Sequence, residues 1–250
     1  MMKTKTSDLA AALKNRPTIT TKELVELYHN KNNQADSASI RKWISRLKMA
    51  GQLATIRKGL YAVSKKPVYS PKSNEFIESL INTFKANYPE INACCWSSGW
   101  LNSFMIHQPA RYFYLFETEP DMVETAFNLF KDSKLNAWLN PDENTMQLYV
   151  LSSLDPIIIK PLVSRAPLIK TGTTTLPTLE KILVDAWTEK KIFNFLQGEE
   201  LVNIFDFAFA HYALSYSRLI GYARRRGTNQ EIDQFVRKTV QPQNRTFLND

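Results

Sequence analysis

The sequence contains little glycine, cysteine and histidine, and each shortage argues against a class of functional site. With only 7 glycines in 250 residues, it has no glycine-rich loop of the kind that cradles phosphates. The three histidines, His29, His107 and His211, lack metal-ligand spacing with each other or with a cysteine. The two cysteines, Cys94 and Cys95, are adjacent, which indicates buried thiols in a reducing compartment. We therefore expect neither a metal nor a cofactor.

Long hydrophobic runs are also missing. No apolar stretch approaches the roughly 20 residues that a bilayer-spanning helix needs. The N-terminus is polar and basic and lacks the apolar core of a secretory signal. Hydrophobic residues still make up 44% of the chain, which is enough for a sizeable core. The sequence therefore predicts a cytoplasmic globular protein with no membrane partner.

Acidic residues are scarce in the first third of the chain. Residues 1–72 hold 15 lysines and arginines against 4 aspartates and glutamates, whereas residues 73–250 hold 17 against 20. The basic excess behind the formal net charge of +8 therefore lies entirely in the first segment. This asymmetry is typical of a polyanion-binding module joined to a body with another task. A lysine-rich solvated surface is the alternative interpretation.

Three helices are predicted in this basic segment. A short apolar stripe predicts the first over Ser7 to Lys14. Thr20 and Glu23 have the spacing of a capping box, which starts the second. The third is predicted from about Ser37 to Met49 and ends at Gly51, which we expect in a left-handed conformation.

The third helix has an apolar face, formed by Ile40, Ile44 and their neighbours, and an opposite polar face without an acidic residue. The polar face carries Ser39, Arg41, Lys42, Ser45, Arg46 and Lys48. Hydroxyl and cationic side chains of this kind contact phosphate oxygens and base edges. The helix is therefore a candidate for entry into the major groove of double-stranded DNA.

Two β-prone runs follow and flank a basic turn formed by Arg57, Lys58 and Gly59, which predicts a hairpin. Three helices and a basic hairpin predict a winged helix-turn-helix over residues 1–66, with Arg57 and Lys58 along the phosphate backbone. A winged helix that contacts protein is the alternative.

The pattern changes at about residue 73, after a linker, Lys65 to Pro71, that contains two prolines. Strands and helices alternate over 73–155, where Thr145 to Leu151 is predicted as one of the strands. Residues 156–250 are predicted to be mostly helical. The threonine-rich stretch around Gly172 is predicted as a loop. The fold class is therefore α+β: an N-terminal winged helix-turn-helix, then a larger mixed α/β domain over 73–250 that ends in a helical bundle.

Glu117 and Glu119 form the strongest enzyme signal in the body. Nucleotidyltransferases place two metal-binding carboxylates at alternate positions of a strand that follows a Gly-Ser turn, and Ser98-Gly99 precedes this pair. A nucleotidyltransferase-like enzyme guided by a nucleic-acid-binding module is therefore the alternative function. We favour a solvated turn for the two glutamates, because they lie at a strand end beside Pro120.

Two further charge patterns occur in the helical part. Arg224, Arg225 and Arg226 end a predicted helix, where cations complement the helix dipole. Three successive arginines point in different directions, so a secondary contact with nucleic acid or an acidic partner is the alternative. Lys181 and Asp185 have the spacing of a helix salt bridge on an exposed or half-buried face.

The wing sequence at residues 56–61, after a helix-turn-helix, resembles the N-terminal domain of the abortive-infection E antitoxins of type IV toxin–antitoxin systems. Residues 161–168, 179–185 and 222–226 are similar to a branch of the same family. The resemblance implies a bacterial antitoxin that binds inverted repeats in its own promoter and represses its operon. It also implies a nucleotidyltransferase-like toxin as functional partner, which the antitoxin need not contact directly.

The resemblance implies no catalytic residue, so we expect a regulator and not an enzyme. The DNA contacts that it implies are Ser39, Arg41, Lys42, Ser45 and Arg46 on the helix and Arg57 and Lys58 on the wing.

Overall fold

The computed structural model describes residues 18–30, 36–64 and 66–241, which form a mixed α+β protein. The predicted helix over Ser7 to Lys14 lies outside the described residues. The predicted domain boundaries at residues 66 and 73 stay a prediction. We call residues 18–64 the N-terminal module and residues 66–241 the body.

The N-terminal module combines two helices with a three-stranded antiparallel sheet. Its elements are β1 (Thr18–Thr20), α1 (Thr21–His29), α2 (Ser37–Met49), β2 (Leu53–Arg57) and β3 (Leu60–Val63). The strand order is β1-β3-β2, so the predicted hairpin, β2 and β3, also pairs with the strand that precedes α1.

Local signals set the boundaries of α1 and α2. The predicted capping box is confirmed, because Glu23 N donates to Thr20 Oγ1 over 3.3 Å and Thr20 N donates to Glu23 Oε2 over 2.8 Å. Helix α2 begins and ends where the sequence predicts. At its end, Gly51 has a φ of 71°, and Gln52 N donates to Leu47 O over 3.0 Å. This is a Schellman cap, which glycine permits because it lacks a Cβ atom.

The first part of the body contains a four-stranded sheet flanked by helices. Its elements are α3 (Glu75–Asn87), β4 (Ala93–Ser97), a 3₁₀ helix (Ser98–Phe104), β5 (Tyr114–Thr118), a 3₁₀ turn (Pro120–Met122), α4 (Val123–Asp132), β6 (Ala137–Leu139) and β7 (Ile157–Pro161). The strand order is β4-β5-β7-β6. β4 runs antiparallel to β5, whereas β5, β7 and β6 are parallel.

The second part of the body is a hairpin followed by packed helices. Its elements are β8 (Leu168–Thr171), β9 (Thr174–Pro177), α5 (Leu179–Thr188), a 3₁₀ turn (Asn194–Leu196), α6 (Glu199–His211), α7 (Tyr216–Arg225) and α8 (Asn229–Thr239). Helices α5 to α8 pack on one another, so the expectation of a helical ending is met.

The four-stranded sheet separates two hydrophobic layers, because successive side chains on a strand point to opposite faces. One face presents Cys94, Trp96, Leu115 and Ile158 to helices α5 to α8. The other face presents Ala93, Cys95, Phe116 and Ile159 to α3 and α4. Both cysteines are free and fully buried, and burial raises the pKa of both thiols. Glu117 is on the same strand face as Leu115, towards the C-terminal helices.

Two sequence predictions in the body are wrong. Thr145 to Leu151 is not a strand: Glu143–Thr145 is helical and runs into a π-helical turn at Met146–Val150. Met146 and Val150 are buried whereas Leu148, midway between them, is exposed, which suits a helical turn, because a strand would place all three side chains on one face. The threonine-rich loop is the β8–β9 hairpin, which turns at Gly172 with a φ of 61°.

The N-terminal module packs against the start of α7. Gly51, at the end of α2, lies against the backbone of Leu214. After the module, Ala213 N donates to Pro67 O over 2.9 Å, and Lys66 Nζ donates to the carbonyl oxygen of Phe209. The end of α2 is therefore held against the C-terminal helices of the body.

Candidate nucleic-acid interface

The polar face of α2 is exposed as the sequence predicts. Ile40, Ile44 and Leu47 are buried in the core of the N-terminal module. The predicted DNA contacts on the other face are all exposed: Ser39, Arg41, Lys42, Ser45 and Arg46. The amphipathic spacing therefore leaves hydroxyl and cationic side chains on one accessible surface.

The charge of this surface is not balanced by nearby carboxylates along the chain. Asp36 caps α2 by accepting from Ser39 N over 2.9 Å, and hydrogen bonds from Ser39 lower the pKa of this carboxyl. Between Asp36 and Glu75 the sequence has no acidic residue. The surface from α2 through the hairpin is therefore strongly basic.

The turn of the β2–β3 hairpin carries the two predicted wing residues. Arg57 and Lys58 are exposed, and Gly59 follows with a φ of 83°. Thr21 N, at the start of α1, donates to Gly59 O over 2.9 Å. The register between β2 and β3 shifts after Thr55, so the strand end bulges before the basic turn. The basic turn is thus tied to the helical part of the module.

A groove of about 1380 Å³ separates α2 from the body, and it divides the predicted contacts into two groups. Arg41, Ser45 and Arg46 line this basic groove, together with Lys48. The remaining predicted contacts are exposed outside it: Ser39, Lys42, Arg57 and Lys58. Periodicity alone missed this division, because the opposite wall comes from residues more than a hundred positions away.

The three successive arginines at the end of α7 have three different environments. Arg224 is exposed and lines a small cavity between β2, α7 and α8, whereas Arg225 is exposed in the basic groove. Arg226 is turned inward and forms an ion pair with Glu189. Arg224 and Arg225 are therefore accessible for the predicted secondary contact. Arg226 is not, because it is paired with Glu189.

A buried ionic cluster joins the sheet to α5 and α7. Lys181 Nζ lies 2.5 Å from Glu117 Oε1 and 2.5 Å from Asp185 Oδ2, and all three side chains are almost fully excluded from solvent. Trp96 Nε1 donates to Glu117 over 3.0 Å, and Tyr222 Oη donates to Asp185 over 2.8 Å. The predicted Lys181–Asp185 salt bridge is confirmed, but its exposed or half-buried position is wrong.

The electrostatics of this cluster follow from burial and from its neighbouring charges. Burial disfavours the ammonium of Lys181, yet the carboxylates of Asp185 and Glu117 hold its pKa well above the ordinary range. Burial raises the pKa of Glu117. The lysine thus satisfies two buried carboxylates at once, which suits a structural link between β5 and α5.

A second ionic group lies beside the cluster. Lys160 Nζ is 2.5 Å from Glu189 Oε2, and Arg226 holds the other carboxylate oxygen. Burial alone would raise the pKa of Glu189, but Lys160 and Arg226 lower it below its usual value. Strand β7, the end of α5 and the end of α7 are therefore tied by one carboxylate.

The two glutamates of the enzyme alternative do not share a site. Glu117 is 5% exposed and lies within β5, so the preferred interpretation of a solvated turn is wrong for it. Glu119 lies beyond the strand, and its Oε1 accepts from Asn92 Nδ2 over 2.8 Å. Lys181 occupies the position beside Glu117 that a metal would need. No cluster of three potential metal ligands occurs among the described residues.

The fold and the charge distribution define an α+β protein with a basic N-terminal surface. Among the helices that the structure describes, none has the length and apolar character that a bilayer crossing requires. Residues 39–242 match the family of unknown function DUF6577, and the chain belongs to that family.

Other comparisons are less informative. No curated protein matches the chain. The crystal structure of the RV2827C protein from Mycobacterium tuberculosis is similar at 15% identity, covering 96% of this chain and 83% of that one, with a TM-score of 0.26. This TM-score is too low to carry an argument about fold or function.

Proposed function

We propose that this protein is a DNA-binding transcriptional regulator and antitoxin, which represses its own promoter. The observation that carries the proposal is the exposed face of α2, where Arg41, Lys42 and Arg46 stand without an acidic residue on the helix. Such a face, on a helix anchored by a buried apolar side, suits insertion into the major groove.

The N-terminal module supports a winged helix assignment. Its order β1-α1-α2-β2-β3 places a basic hairpin directly after the proposed recognition helix. In this assignment α2 reads base edges, and Arg57 and Lys58 contact the phosphate backbone. The first helix that the sequence predicts for the motif, Ser7 to Lys14, lies outside the described residues.

The antitoxin role rests on the resemblance to abortive-infection E antitoxins. It assigns the protein a nucleotidyltransferase-like toxin as functional partner and places its action in the cytoplasm. No residue of the body is assigned to toxin contact, because the resemblance does not require direct binding.

The nucleotidyltransferase alternative has weaker support. Its metal site would need Glu117 and Glu119 to face a shared ion. Instead, Glu117 accepts a hydrogen bond from Lys181, and Glu119 accepts one from Asn92. A regulator without catalytic residues therefore fits the arrangement better.

A binding assay on the full chain tests the proposal. The probe is a fluorescent duplex from the region upstream of its own gene, and the variants are Arg46→Glu and Arg57→Glu. We expect Arg46→Glu to weaken binding by about five- to 150-fold, since an arginine that contacts a base contributes about 1–3 kcal/mol. Arg57→Glu should weaken binding to every duplex alike and make binding less sensitive to salt, since a phosphate contact carries no sequence preference. Lys238→Glu is the matched control, because Lys238 is exposed on α8 and lines no part of the groove.

The result that would overturn the proposal is wild-type binding without salt sensitivity or preference for the upstream duplex. Equal losses for Lys238→Glu and Arg46→Glu would also overturn it, because only net charge would then matter.

A further inference from the structure

The body contributes the second wall of the basic groove that α2 borders. One part is the chain leading into and along β8, with Arg165 and Lys170, and the other is α7, with Arg218 and Arg225. These residues belong to the body, outside the winged helix-turn-helix that the sequence predicts over residues 1–66.

Positive charge dominates both walls. The α2 wall supplies Arg41, Arg46 and Lys48, and no aspartate or glutamate is among the described residues that line the groove. Cations gathered on two facing walls repel one another across the groove, and a bound polyanion relieves this repulsion.

Most of the cations of the body wall have no acidic partner among the described residues. Arg218 Nη1 lies 3.5 Å from Glu180 Oε2, so its charge is partly balanced. Arg165, Lys170 and Arg225 form no ion pair with any residue that the structure describes. Among the described residues, Arg225 Nη1 donates to Gly221 O over 3.3 Å. Three cations of the body wall therefore remain available for a ligand.

We infer that Arg165, Lys170 and Arg225 bind backbone phosphates of the same DNA duplex that α2 reads, so that module and body form one composite interface. This inference rests on the proposed function and extends it to the body. Charge complementarity selects a polyanion, and continuity with Arg41 and Arg46 selects the duplex over an acidic peptide, because these two residues belong to both surfaces.

The salt dependence of binding tests the inference. Each phosphate neutralised by a protein cation adds about 0.9 to the absolute slope of log K against log salt concentration, which we call the salt slope. The groove variant Arg165→Gln/Lys170→Gln/Arg225→Gln keeps long polar side chains but removes three charges. We expect its slope to be lower by about 2 to 3, with its preference for the upstream duplex retained.

The matched control is Lys72→Gln/Lys191→Gln/Lys238→Gln, which removes the same charge from exposed body positions outside the groove. It should keep the wild-type slope, and thermal unfolding should show that both triple variants are folded. If the groove variant and the control have equal slopes while wild type binds, the composite interface is wrong and the proposed function stands. If wild type binds no duplex, the proposed function fails.

Poly-L-glutamate serves as the second probe and separates nucleic acid from an acidic protein partner. We expect weak binding that the two triple variants lose equally. Selective loss of poly-L-glutamate binding by the groove variant, with duplex binding intact, would overturn the inference in favour of a protein-docking surface.

Discussion

Gly51 meets Leu214 so closely that no side chain fits between them: a Cβ atom on Gly51 would lie 2.5 Å from the carbonyl carbon of Leu214. Gly51 ends α2, and Leu214 precedes α7, so this contact brings together the two helices that border the basic groove. Because the obstacle is backbone, it cannot be relieved by a rotamer change, and the contact sets the distance between the two walls.

Gly51→Ala should therefore disturb both stability and DNA binding. Alanine at a positive φ costs about 1 kcal/mol, and the clash with Leu214 adds to this cost. Gly172→Ala is the matched control, because Gly172 has a φ of 61° and nothing within 4 Å of its Cβ position. Urea unfolding should show the larger loss for Gly51→Ala, and only this variant should lower the salt slope of DNA binding. Equal losses of stability for Gly51→Ala and Gly172→Ala would mean that the contact between Gly51 and Leu214 does not contribute to stability.

Removing Lys181 should destabilise the body more than any surface change. Lys181→Met leaves the buried carboxylate of Glu117 without its cation and leaves Asp185 with the more distant Arg226, 4.0 Å away, so we expect a loss of about 3–5 kcal/mol in the free energy of unfolding. Glu117→Gln/Lys181→Met/Asp185→Asn removes the stranded charges and should recover part of that loss. A single variant within about 1 kcal/mol of wild type would contradict a structural role for the cluster.

Glu189 should make stability depend on pH at the acid end. Its pKa is lowered in the folded state, so its ion pairs contribute fully above the unfolded pKa of about 4.3 and are lost as pH falls through the lower folded pKa. Glu189→Gln should cost about 1–3 kcal/mol at neutral pH, and its difference from wild type should shrink in acid. Urea unfolding across this range measures the effect. Glu124→Gln, on the exposed side of α4, should show no such trend.

Arg225 and Arg226 should separate DNA binding from stability. Arg225 is exposed in the groove, so Arg225→Gln should change stability by less than about 0.5 kcal/mol and lower the salt slope by about 1. Arg226 forms an ion pair with the half-buried Glu189, so Arg226→Gln should cost about 1–3 kcal/mol of stability and leave the slope unchanged. The opposite assignment of effects would contradict the geometry of α7.

Local elements could be predicted from the sequence because their signals are local. The Thr20–Glu23 capping box, the apolar spacing of α2 and Gly51 fix the helices of the N-terminal module within a few residues of chain. The hairpin turn at Arg57 and Lys58 was predicted for the same reason.

Long-range arrangements could not be predicted in this way. Arg46 and Arg225 line the same groove, and Glu117 and Lys181 form a buried ion pair. In both cases no sequence pattern indicates that the two residues lie close together. Lys181 and Asp185 were predicted to pair, but helix spacing cannot reveal that β5 buries them. The π-helical turn at Met146–Val150 was missed because its apolar residues also alternate like those of a strand.

In the proposed function, the chain binds its own upstream DNA with sequence preference. The most direct test compares dissociation constants of the full chain for the upstream duplex and for a scrambled duplex of equal length and composition, at one physiological salt concentration. We expect tighter binding to the upstream duplex by about a thousand-fold or more. A ratio near one would contradict it, because the basic surface would then act only as a non-specific polyanion binder.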